Sequence, residues 1–118
     1  MNLKASSGRE NRQFKRITTD RPIKLINKNE SFNLKMINLS QEGAGLLSAV
    51  CFEENEPVEL EMKLPFMDEI TQLKLKSKVV HTTPVRGQFL LGLHFETMSK
   101  HQQFVLEKFI NHKYHSKL

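Results

Sequence analysis

Arg12 and Arg16 stand four apart around Phe14 in the stretch NRQFKR (11–16), and some twenty residues later NLSQEG (38–43) offers the amide of Asn38, the hydroxyl of Ser40 and Gly43. A guanidinium is always charged, planar and forked. A pair of them suits phosphate oxygens, the O6/N7 edge of a guanine or the face of a purine, where lysine would supply charge without the fork. Asn and Ser both donate and accept, and glycine supplies positive φ and admits close approach. The second stretch therefore suits a flat, hydrogen-bonding ligand as well as an ordinary hairpin connection. In extended backbone Arg12 and Arg16 point the same way about 13 Å apart, and in a helical turn they lie roughly 6 Å apart.

Other chemistries lack their residues. No Gly-x-Ser-x-Gly, paired-carboxylate or His-Glu-x-x-His arrangement occurs, and Asp68-Glu69 beside Pro65 reads as a turn, so no enzyme is expected. The histidines at 81, 94, 101, 112 and 115 are scattered and read as solvated or capping residues. A lone Cys51 excludes an intramolecular disulfide, and no second cysteine stands near a histidine pair, so no metal site is expected. The basicity is local. Residues 1–28 carry eight Lys/Arg against Glu10 and Asp20, a net of +6, while the rest carries ten against eleven, about −1. Such a segment attracts phosphates or acidic surfaces, whereas uniform basicity would suggest a long nucleic-acid track.

The elements that must position these residues are mainly strands. At 118 residues the chain is long enough for one core. PIKLIN (22–27) and FNLKMINLS (32–40) alternate around KNES and predict a hairpin; the change of phase at Ile37 and Leu39 predicts a bulge or a stretch buried on both faces. GAGLLS (43–48) is a candidate third strand. VELEMKLP (58–65) puts Val58, Leu60, Met62 and Leu64 on one face and is expected to stop at Pro65. LKLKSKVV (73–80) and QFLLGLHFE (88–96) pair through TTPVRG. Ser99 then precedes Gln102 at capping-box spacing and opens an amphipathic helix to about Lys113 with Val105, Leu106, Phe109 and Ile110 as its apolar stripe. Six short strands and one helix argue for a small antiparallel barrel with the helix against one opening. No apolar run approaches the roughly 18 residues that span a bilayer, and the start lacks the apolar centre of a secretory signal, so a soluble cytoplasmic protein is expected.

Arg12-Gln13-Phe14-Lys15-Arg16 followed by Asn38-Leu39-Ser40-Gln41-Glu42-Gly43 resembles the RxxxR and [D/N]xSxxG signatures of PilZ domains, bacterial receptors for cyclic di-GMP. FLLGLHFETMS and the helix after it are similar to the last strand and C-terminal helix of that family, and the likeness covers roughly residues 9–112. It implies a six-stranded antiparallel PilZ-type barrel over 9–113, with a flexible tail at 1–8 and another at 114–118. By the same resemblance Arg12 and Arg16 contact guanine and phosphate, Asn38 and Ser40 bond a guanine edge, and Gly43 lets the turn approach the ligand. Arg9, Lys15 and Gly45 are secondary candidates, and Phe14 is expected to anchor the arm on the barrel.

Asn11 stands where many relatives carry another arginine, a position that bears on whether one ligand or an intercalated pair binds. Arg86 and Gly92, on the final hairpin, read by default as a turn cation and a strand glycine. The expected function is cyclic di-GMP binding that orders the N-terminal arm and relays the signal to a downstream effector protein, without membrane insertion or nucleic-acid binding. The alternatives are a PilZ-like adaptor acting by protein contacts alone, and a small basic barrel that binds single-stranded nucleic acid.

Overall fold

Four hairpins with two-residue tips set the register of the computed structural model, which describes residues 15–116. Strand β1 (Arg16–Asn27) turns through Lys28-Asn29 into β2 (Glu30–Ser40), and β2 turns through Gln41-Glu42 into β3 (Gly43–Ser48). After an irregular segment, β4 (Pro57–Phe66) turns through Met67-Asp68 into β5 (Glu69–Val85), which turns through Arg86-Gly87 into β6 (Gln88–Phe95). Three of the tips have left-handed φ at both residues: 52° and 70° at Lys28-Asn29, 53° and 64° at Met67-Asp68, 51° and 82° at Arg86-Gly87. That backbone follows the right-handed twist of the flanking strands.

The six strands close into an antiparallel barrel in the order β1-β2-β3-β6-β5-β4, with β4 returning to β1 where Leu60 lies opposite Leu25. Period-two alternation sends Leu25, Met36, Leu46, Leu60, Leu75 and Leu91 into the lumen, all fully buried. The helix α1 (Lys100–Ser116) covers one mouth, with Val105, Leu106, Phe109 and Ile110 buried against β1, β2 and β4. Its start is the expected capping box: the Ser99 N–H donates to Gln102 Oε1 at 3.0 Å, and the Gln102 N–H donates to Ser99 Oγ at 3.1 Å.

Several bounds differ from the sequence reading. β1 begins at Arg16, not Pro22, because residues 16–21, polar apart from the buried Ile17, pair with β2 across a bulge between Thr18 and Arg21. β4 runs through Pro65, which lies opposite Ile70. Only Glu59–Glu61 of β4 pairs with β1, so the strand's far end has one unpaired edge, where proline is tolerated. β5 continues to Val85, and α1 runs to Ser116, past the expected end near Lys113. Arg9, Arg12 and Phe14 lie outside the described residues.

Candidate functional site

Two bulges build the candidate site. On β2, Met36 lies opposite Leu46 but Asn38 lies opposite Gly45, so Ile37 is an extra residue. On β5, Val79 lies opposite Leu93 but His81 lies opposite Gly92, so Val80 is extra. An extra residue reverses the alternation. Met36 and Val79 face the lumen and are fully buried, whereas Asn38 and His81 come out on the barrel's exterior. Gly45 lies opposite Gly92 between them, giving a lateral row of Asn38, Gly45, Gly92 and His81 across four strands.

The two glycines leave the middle of that row without side chains. A Cβ on Gly45 would come within 2.9 Å of Asn38 Cγ, and one on Gly92 within 2.6 Å of His81 Cε1. The amide and the imidazole thus lean over bare backbone from either side. The resulting trough, about 290 Å³, is completed by Arg16, Glu42 and His94. Arg16 Nη1 donates to Asn38 Oδ1 at 3.3 Å, joining two residues 22 apart in the chain. The rest of the exposed guanidinium keeps further donors for a ligand.

Ser40 and Gly43 shape the turn beneath this row. Ser40 is 1% exposed. Its hydroxyl accepts the N–H groups of Glu42 and Gly43, both at 3.2 Å, and donates to the Gly43 carbonyl at 3.4 Å. One donor and two acceptor sites are thereby all engaged. In this geometry Ser40 holds the Gln41-Glu42 tip in place and does not present its hydroxyl to a guanine edge. Gly43 differs from expectation as well. It is the first residue of β3 with no positive φ, and the reason for glycine is proximity: a Cβ there would drive into the Leu93 carbonyl oxygen and lie 3.5 Å from His94 Cα.

The secondary candidates separate. Gly45 is in the trough. Lys15 lies against α1, donating to Asn111 Oδ1 at 3.4 Å with its ammonium 5.1 Å from the centre of the Tyr114 ring. Arg21 also meets this helix, its guanidinium 5.4 Å from the Phe109 ring, so the beginning of β1 is fastened to the helix's C-terminal half. Arg86 sits at the tip of the last hairpin and does not line the trough, while Gly92, a default strand glycine in the sequence, is part of its floor. His81 was invisible as a site residue. The signal for Gly92 was present, since a glycine inside an apolar strand marks close approach by something else. Among the described residues no cluster of His, Cys, Asp and Glu could hold a metal, and no helix is long and apolar enough to cross a membrane.

Comparisons with known proteins agree with this architecture. Residues 10–112 match the family model for the PilZ domain. The inhibitor of motility MotI/DgrA of Bacillus subtilis superposes with a TM-score of 0.80 at 18% identity, over 91% of this chain and 52% of that one. The complex of MrkH with c-di-GMP from K. pneumonia gives 0.72 at 13% identity, over 90% and 53%. The PilZ domain of YcgR from Escherichia coli, with c-di-GMP, gives 0.67 at 15% identity, over 90% and 93%. The chain thus spans about half the length of the first two. No curated protein matches it by sequence.

Proposed function

The chain belongs to the PilZ domain family, and on that premise we propose that it is a receptor for cyclic di-GMP that acts on a partner protein. The carrying observation is the Arg16–Asn38 hydrogen bond beside a trough floored by Gly45 and Gly92, where the ends of the two sequence motifs meet. Cyclic di-GMP combines two guanines with two phosphates, which suits a flat recess bordered by a forked cation. At about 290 Å³ the trough is at the lower end of ligand pockets, so it takes part of the dinucleotide. The remainder lies over the rim, where Arg12 closes on it together with Arg16.

In this reading Asn38 and Arg16 bond a guanine edge and a phosphate, and His81 offers its ring from the opposite wall. Ser40 and Gly43 act at one remove by fixing the turn. Ligand binding orders the segment carrying Arg12 against the barrel, and ordering a segment is a recognised way of presenting a new surface to an effector. Lys15 and Arg21 fasten the following residues to α1, so an ordered arm would continue onto that helix.

Titration calorimetry with cyclic di-GMP tests the proposal. Wild type is expected to bind at micromolar protein, with affinity lost on Arg12→Ala and Arg16→Ala. No heat with folded wild-type protein would leave the adaptor reading, contacts without nucleotide, in its place.

A further inference from the structure

We propose that a second surface, the groove between the β4–β5 tip and α1, receives an acidic amphipathic segment of a partner protein. The groove, about 520 Å³, shares no residue with the trough. Phe66, Met67, Phe104 and Phe109 supply its apolar surface. Phe66 meets Phe104 edge to face with ring centres 5.8 Å apart, so the hairpin and the helix make one continuous aromatic floor.

Folding does not account for this surface. Met67 is 77% exposed and Ile70, cross-strand from Pro65, is 65% exposed, the two highest values among the exposed large hydrophobics of the described residues. Phe104, which lines the groove with Met67, is 42% exposed. The equivalent first position in the other two left-handed tips holds a cation, Lys28 or Arg86, so the turn itself does not call for a thioether. An unbranched, polarizable side chain at the lip of an aromatic groove is suited to adapting to an incoming apolar residue.

Charge selects the occupant. On the helix side Lys108 and Lys113 stand over the rings of Phe104 and Phe109, at 5.2 and 5.8 Å, with His112 alongside. The helix sequence carries three lysines, Lys100, Lys108 and Lys113, against one carboxylate, Glu107. The tip contributes Asp68, with Glu69 following it. The guest therefore lies with its apolar edge toward Met67 and its carboxylates along α1, the arrangement of a helix in a groove. As the route by which the proposed receptor passes on its signal, this surface rests on that function; as a binding groove it does not.

The test uses the full chain, labelled with nitrogen-15, and a synthetic amphipathic peptide of about 18 residues with Leu on one helical face and Glu elsewhere, compared with its Lys counterpart. Saturable shifts are expected at the amides of residues 66–68 and 104–113 with the Glu peptide. Binding should weaken about tenfold on exchange for the Lys peptide, about tenfold for Met67→Asp, and with rising salt. Unchanged thermal midpoints would show that the Met67→Asp protein is folded. Shifts elsewhere, no saturation, equal binding of both peptides or an indifferent Met67→Asp would each overturn the proposal. So would movement of the same resonances with protein concentration alone, which would identify a second copy as the occupant. Calorimetry with cyclic di-GMP on the same sample reads the receptor function separately, so either result can fail without the other.

Discussion

Alanine at Gly43 and alanine at Gly45 should have opposite kinds of consequence, although the residues are two apart on one strand. At Gly43 the three atoms nearest the new methyl are all backbone: the Leu93 carbonyl oxygen, its carbon at 3.3 Å and His94 Cα at 3.5 Å. Relief requires β3 to move away from β6, straining the neighbouring Phe95 N–H bond to the Glu42 carbonyl, 2.9 Å long. Overpacking costs about 1–3 kcal/mol, and with backbone on the far side the upper part of that range applies; weakening one hydrogen bond adds about 1 kcal/mol. A loss of about 3 kcal/mol should lower the midpoint by about 12 °C for a domain of this size.

At Gly45 the obstacle is the Asn38 side chain, which can rotate away. Strand interiors gain about 0.5–1 kcal/mol from Gly→Ala, so the Gly45→Ala protein should remain within about 1 kcal/mol of wild type. It should nonetheless lose the Arg16–Asn38 bond and bind cyclic di-GMP more weakly. Thermal unfolding followed by far-ultraviolet circular dichroism is the assay, since the chain has no tryptophan. Equal midpoints for the two variants would refute the close-approach explanation of Gly43.

Arg16→Lys keeps the charge but removes the fork, and calorimetry should show it little better than Arg16→Ala, with affinity down about tenfold or more; full retention would mean that charge alone suffices. Ser40→Ala strands the buried Gly43 N–H and the half-buried Glu42 N–H in the turn and should cost about 1–3 kcal/mol in chemical denaturation even without ligand, whereas a role confined to ligand contact would leave stability untouched. Ser99→Ala removes one arm of the capping box and should cost about 1 kcal/mol, with hydrogen exchange rising in the first turn of α1 and not in the strands.

How much was legible in the sequence follows from where alternation is regular. VELEMKLP, QFLLGLHFE and the helix keep one period throughout, and their placement follows directly. The run from Arg16 to Arg21 has a single apolar residue, Ile17, and so no apolar period to show that it is strand, and it is held by pairing with β2. Asn38 was recognisable because its motif is contiguous. His81 was not, because uninterrupted period two would place it inside with Val79, and only the register against β6 reveals that Val80 is the extra residue. The hydroxyl of Ser40 had two plausible tasks in sequence, and only the tip geometry distinguishes them.

The paired bulges also mean that the trough is written in spacing as much as in residue identity. Straightening the β5 bulge with every residue kept would pair Val80 with Gly92 and slide His81 opposite Leu91, which would swing the imidazole toward the lumen and turn one wall into a buried polar group. Straightening the β2 bulge would do the same to Asn38, with Ile37 taking its place opposite Gly45. A one-residue slip at either bulge is thus a one-step route from a recess to a plain barrel wall, whereas removing the extra residue itself would keep the row facing outward, and two chains can agree at every trough residue while only one of them has a trough.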